Sequence, residues 1–330
     1  MFDTAILGAG PAGAVAALGL ARAGQRVVMI DDVEDGAVKL GETLAPGGAR
    51  VLHQLDLGRL LGPPHTTVPG QLSLWDDRGV VPTDFFASPH GRAWRLDRSR
   101  FDADLRAAAR AAGAVMVRAR TMEVSRRGAG WQVTAGETLE AGHLIDATGR
   151  RAWLARRLGA RVVRDDDQVA LYARWSPDTA MTTTRTLVER VADGCWWYAA
   201  RLPDGDVIAG LHLPAKAAAT VWRAPHQWSA KLAATSLIAR HLTPPDTITL
   251  LPPHSATGSI TSPTEGDGWH AIGDAAMAYD PLSGFGIHAA LQDAVWLTDG
   301  TPSVERARRR AAIRLAYLRQ MRPNYALGAR

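Results

Sequence analysis

The chain has 330 residues, 46% hydrophobic and 22% charged, an ordinary globular composition that excludes disorder and leaves room for one large α/β unit or two intertwined ones, two cores being the expected case. The net charge of +5 comes from arginine: Lys39, Lys216 and Lys231 are the only lysines among 38 basic residues, and no nucleic-acid-binding module or aromatic-laced basic patch accompanies them. The single Cys195 excludes an intrachain disulfide and a multi-cysteine metal site, and reads as an unreactive buried thiol in a reducing compartment.

The N-terminal segment "TAILGAGPAGAVAALGLARAGQRVVMIDD" predicts a strand–turn–helix–strand unit. Gly8 permits the tight turn, Gly10 lets a pyrophosphate approach the backbone and Gly13 lets helix and strand close together, with Pro11 and Ala12 completing the loop. The helix start then offers free N–H groups to phosphate. Asp31, at the end of the second strand, is placed for the ribose hydroxyls of an adenosine, with Asp32 as its competitor. This fingerprint predicts a dinucleotide site without separating FAD from NAD(P).

Further along, residues 41–57 predict a loop and a helix, and 71–81 a β-hairpin around Asp77-Arg78-Gly79. Residues 95–117 predict a helix from about Asp97 to Gly113 followed by a strand, and 143–160 a strand, turn and helix. Between 165 and 262 the pattern changes to four strands, one helix around 222–241 and proline-rich connections, an antiparallel sheet with a covering helix. On the strand carrying Trp196, Trp197 and Tyr198, alternation puts Trp196 and Tyr198 on one side and Trp197 on the other. Core packing accounts for the triplet; the functional alternative is an aromatic wall, of Trp196 and Tyr198, for a planar substrate. Residues 269–276 return to a buried strand, and the run "RARRRAAIR" at 306–314 reads as the solvated face of an amphipathic helix. No secretory leader and no stretch long enough to span a bilayer is legible, so a cytoplasmic protein without a membrane span is expected.

Four motifs stand in one order: GAGPAG (8–13), RLDRSRFD (95–102), DATG (146–149) and GDAAMAYDPLSGFGI (273–287). Together they resemble the para-hydroxybenzoate hydroxylase-like FAD-dependent superfamily, nearest the branch of geranylgeranyl reductases, tryptophan-halogenase-like proteins and flavoproteins that mature lysine-oxidase-type quinone cofactors. The resemblance implies an α/β fold: a Rossmann-like FAD-binding domain of para-hydroxybenzoate hydroxylase type, from 1–70, 97–164 and 264–330, with an inserted antiparallel β-sheet substrate domain, from 71–96 and 165–263. It implies FAD contacts at Asp274 (ribityl chain), at the turn of Pro281 and Gly284 beside the isoalloxazine, at the N–H groups of Gly286 and Ile287, at Arg98, at the turn Asp146–Gly149, and at Glu42 and Thr43 of the Gly41–Pro46 element. A helix start at the flavin stabilises the anion of its reduced form.

The activity so implied is an FAD-dependent monooxygenase acting through a flavin C4a-hydroperoxide, with O2 and with electrons from NAD(P)H or a separate reductase partner. The substrate would be an aromatic small molecule, or an aromatic group on a peptide or carrier, in a biosynthetic pathway. A reductase or dehydrogenase without oxygen insertion is the alternative, and a non-catalytic FAD-bound partner subunit a third reading. Halogenation lacks its lysine, since none stands between residues 43 and 215, and "GCWWYAARLP" matches the halogenase tryptophan motif poorly. For catalysis the candidates are His90, His288 and Pro281, a structural or solvent-facing role being the plainer reading of both histidines. No metal site is expected.

Overall fold

The computed structural model describes residues 1–33, 43–86, 88–176, 181–191 and 194–326, with side chains as far as Arg319. The chain divides into two compact units: Met1–Gly41, Arg98–Asp165 and Gly258–Arg314 form one, and Glu42–Asp97, Asp166–Thr257 and Leu315–Arg330 the other.

The first unit is built on five parallel strands, in spatial order Val115–Arg118, Val27–Asp31, Phe2–Leu7, Glu137–Asp146 and Trp269–Ala271. The central ones are continuous apolar runs, buried at every position from Thr4 to Leu7 and from Val27 to Ile30, as parallel strands require. Glu265–Gly266 adds an antiparallel edge, and Glu123–Arg127 and Gly130–Ala135 fold back onto Glu137–Ala141 as a meander. The helix Pro11–Arg22 starts on a proline, whose missing N–H costs nothing at that position. Its small residues serve close approach: a Cβ on Gly19 would lie 2.6 Å from the Thr298 hydroxyl, at the end of the helix Gly286–Thr298.

The run at 306–314 departs from its reading as a solvated face. Arg306 and Arg310, one turn apart, are buried, and their guanidinium groups meet Glu265 at 2.9 Å and Asp293 at 2.8 Å. Both carboxylates come from segments that local charge pattern does not connect to this helix.

The second unit carries a seven-stranded sheet in the order His254–Ser255, Gln168–Trp175, Val207–Pro214, Trp196–Arg201, Thr186–Arg190, Gly70–Leu74, Val81–Asp84. It is not wholly antiparallel as expected: Thr186–Arg190 runs parallel to Gly70–Leu74, because a tight hairpin dictates antiparallel pairing only for consecutive strands. The expected hairpin is present, joining Gly70–Leu74 to Val81–Asp84. The single helix expected around 222–241 is three short ones, Ala215–Arg223, Pro225–Ala233 and Ile238–His241. Pro225 lacks an N–H and excludes helical geometry before it, and Ala224 accordingly sits at φ −135°, ψ 73°.

One sheet face holds the core of this unit, where Leu171, Trp175, Leu187, Trp197 and Leu211 pack with Trp228 and Leu232 of the middle helix. Cys195 is only partly buried, against the edge of that core. Residues 43–70, assigned by the sequence to the nucleotide-binding part, group with this unit. Thr43–Leu44 and Thr66–Val68 both pair with Ala93–Arg95, and Gly70–Leu74 joins the large sheet. Among the described residues no helix is long and apolar enough to cross a membrane.

Candidate functional site

The site in the first unit begins at the glycine loop. Gly8 has φ +103°, and a Cβ there would lie 2.2 Å from the Ala147 carbonyl oxygen; a Cβ on Gly13 would lie 2.0 Å from the Gly8 carbonyl oxygen. Both positions are therefore closed to any side chain. Gly10 differs, since nothing stands within 4 Å of the place its Cβ would take. The helix behind it has no side-chain cap. Open space above a bare backbone, at an uncapped helix start, fits a pyrophosphate. Asp31 ends its strand beside this loop, with Oδ2 accepting the Ala9 N–H at 2.6 Å, so the carboxylate that suits a ribose also holds the loop. Asp32 is exposed.

The second half lies against the first. A Cβ on Gly273, at φ +58°, would come 2.8 Å from the Ala12 Cβ, so the Gly-Asp pair abuts the start of the dinucleotide helix. Asp274 faces Arg150, with Oδ2 3.5 Å from Nε and 31% of its side-chain surface exposed. Partial burial pushes its carboxyl above the usual range, against the pull of Arg150 and Arg98. Arg98, bidentate to Asp102 at 3.1 Å, is thereby brought into the field of Asp274.

Beyond it, Asp280 Oδ1 accepts the Leu282 N–H at 2.7 Å and shapes the exposed turn that carries Pro281. Gly284 adopts φ +59°, and the helix Gly286–Thr298 starts without a side-chain cap. No atom stands within 4 Å of a Cβ on Gly286, so the amides of Gly286 and Ile287 open a second helix N-terminus to an anionic ring edge. His288 follows, its ring 4.6 Å from that of Phe285.

In the turn 146–149 the Asp146 carboxylate faces its own turn and the helix that follows. Asp146 is fully buried; Oδ1 accepts from the Thr148 N–H and hydroxyl at 3.0 and 2.6 Å, and Oδ2 from the Ala155 N–H at 2.8 Å. Burial pushes its carboxyl up while those hydrogen bonds pull it down. Its oxygens shape the turn that brings Gly149, at φ +65°, and Arg150 to Asp274. Two contributors were not read from the sequence: Arg150, visible as the arginine after the DATG turn, and Asp293, a lone carboxylate in an apolar helix. Asp293 Oδ2 accepts the Gly273 N–H at 2.8 Å, which locks the Gly-Asp pair to the helix.

In the second unit, the sheet face opposite the helix-covered core carries Trp196 stacked on His212, with centroids 3.6 Å apart. The Tyr172 hydroxyl lies 3.1 Å from His212 Nε2, and burial holds this histidine neutral, its pKa pushed down to about 3. Tyr198 shares that face, with Trp197 on the other, as alternation predicts. Its hydroxyl accepts from Arg95 Nη1 at 3.0 Å. Arg95, 1% exposed, also donates to the Thr43 hydroxyl at 2.7 Å and the Thr186 hydroxyl at 3.0 Å. His90 is exposed in its loop, and Glu42 lies outside the described residues.

A family model described as FAD binding domain matches residues 1–324. The chain is 29% identical over 321 residues to LodB of Marinomonas mediterranea, covering 89% of this chain and 82% of that protein. It is 31% identical over 321 residues to menaquinone reductase of Mycobacterium tuberculosis, covering 88% and 74%. The solved structure of the peptidyl tryptophan dihydroxylase QhpG, essential for tryptophylquinone cofactor biogenesis, superposes with a TM-score of 0.74 at 27% identity, over 98% of this chain and 72% of that one. With both halves of the cradle in place and the family model spanning nearly all of the sequence, the chain belongs to the FAD binding domain family and is an FAD-dependent oxidoreductase.

Proposed function

We propose that the protein is an FAD-dependent monooxygenase acting on an aromatic group, either of a small molecule or of a residue presented on a peptide or carrier, in a biosynthetic pathway. The observation that carries this reading is the non-core face of the second unit's sheet, where Trp196, His212, Tyr172 and Tyr198 stand together. Trp196, His212 and Tyr172 are buried and hold the half-buried Tyr198 rigidly from behind, which suits presentation of its phenol to a planar, hydrogen-bonding substrate. Bound FAD supplies two-electron transfer and, once reduced, the activation of O2. The chain's own residues bind and orient it. Asp31 holds the adenosine ribose, the open backbone at Gly10 takes the pyrophosphate, Asp274 meets the ribityl chain, and the helix start at Gly286 and Ile287 stabilises the negative charge of the reduced ring. Electrons come from NAD(P)H or from a reductase partner. The dihydroxylase activity of QhpG supports oxygenation, while the activity of menaquinone reductase supports the alternative of reduction without oxygen insertion.

The test is turnover of indole-bearing acids, amides and peptides by the FAD-loaded protein with NADH, NADPH or an added flavin reductase, under 18O2. Mass-resolved incorporation of 18O into the product is expected. A product reduced or dehydrogenated without label would replace this reading with the alternative.

A further inference from the structure

We propose that Arg95 anchors a carboxylate of the substrate and so sets the charge that the protein selects. This deepens the reading of the second unit as the substrate-binding one and rests on it. Two of the three other buried arginines, Arg306 and Arg310, each have a carboxylate oxygen within 2.9 Å. Arg95 is as deeply buried, at 1% exposure, yet its partners among the described residues are three hydroxyl oxygens, those of Thr43, Tyr198 and Thr186. Among the described residues no carboxylate touches it. Hydroxyls satisfy N–H groups without neutralising a guanidinium, and a buried uncompensated charge is a standing cost that an anionic ligand removes.

Three of the five N–H donors of the fork are engaged by these hydroxyls. The planar fork matches the two oxygens of a carboxylate. Thr43 and Tyr198, which share Nη1, are only half-buried and mark the side from which a ligand reaches the group, its carboxylate taking the place of one of these hydroxyls on Nη1. Tyr198 stands two residues from the buried Trp196 on the same face of the strand, so the half-buried phenol beside Arg95 is the ring that the aromatic body of an acidic ligand meets.

The test measures binding of acetate, benzoate and indole-3-acetate, each against its uncharged amide, to the FAD-loaded protein by titration calorimetry at constant ionic strength. For at least one pair the acid is expected to bind at least about tenfold more tightly, the discrimination that a charge-assisted hydrogen bond supplies. Arg95→Met should reduce that preference to within about twofold at unchanged FAD content, and Arg95→Lys should retain part of it, because charge persists while the fork is lost. Absence of any acid preference in the natural protein, or its persistence in Arg95→Met, overturns the proposal. So does loss of FAD rather than of acid binding in the variant, which would assign the cation to the flavin. If Arg95→Met fails to fold, Arg95→Gln takes its place, and the acid-against-amide comparison in the natural protein still decides. An acid preference without 18O incorporation would remove the monooxygenase reading and leave the anchor standing. Incorporation without the preference would do the reverse.

Discussion

Gly10 and Gly13 are three residues apart and are glycines for different reasons. At Gly13 a Cβ would collide with the Gly8 carbonyl oxygen at 2.0 Å, whereas at Gly10, with an ordinary φ of −74°, it would meet nothing. Gly10→Ala should therefore keep the unfolding midpoint of the FAD-free protein while FAD affinity falls at least about tenfold, because only the phosphate needs the space. Gly13→Val should lose both flavin and roughly 1–3 kcal/mol of stability or more, since overpacking forces the loop to move. Flavin absorbance per protein and urea unfolding separate the two; a yellow, FAD-replete Gly13→Val would refute the packing argument. These glycines are legible in sequence because their spacing records local sterics. Asp146 is not, because a carboxylate in a turn looks the same whether its oxygens face a ligand or, as here, Thr148 and Ala155.

Among the elements, alternation along Trp196–Arg201 distinguishes two neighbouring tryptophans. Trp197 packs in the core against Trp228, with ring centroids 4.8 Å apart, whereas Trp196 lies on the opposite face with His212. Trp197→Ala should cost about 3–5 kcal/mol by chemical denaturation, the range for emptying a large aromatic site in a core. A loss below about 1 kcal/mol would mean that the helices do not seal that face. Strand identities were readable because period-two patterns are local. The break at Pro225 is equally local, since a proline excludes helical geometry at the residue before it. The parallel partner of Gly70–Leu74 was not readable at all, since nothing within a strand names a neighbour from a distant segment.

For the molecule as a whole, the response to acid follows from a histidine pair in the first unit. His143 Nε2 and His270 Nδ1 are 2.6 Å apart, linking adjacent parallel strands. Burial pushes His143 down, helped by Arg306. Burial, His143, Arg306 and Arg310 push His270 down to about 3. Glu265 lies 3.5 Å from His270 Nε2, and Asp267 opposes the shift at His143. Between these depressed values and the ordinary 6.5, the unfolded chain binds protons that the native one refuses, so the pair's contribution to stability is present above 6.5 and lost as pH falls. The loss is about 1.4 kcal/mol per pH unit per histidine once the unfolded group is fully protonated. Asp146, Asp274 and Asp293, all pushed up by burial, act in the opposite sense. The readout is therefore the difference between the natural protein and His270→Gln, whose stability should depend less on pH between 6.5 and 4; parallel curves would contradict the assignment.

The parallel pairing of Thr186–Arg190 with Gly70–Leu74 also bears on how the protein is made. On the ribosome, the hairpin Gly70–Asp84 is finished early but must wait with one backbone edge uncovered until residues 186–190 emerge. The strand Glu137–Asp146 likewise waits for Trp269–Ala271. Uncovered edges of this kind pair with whatever strand arrives first, so slowing translation across 190–271 should lower the yield of native protein more than slowing it after residue 300.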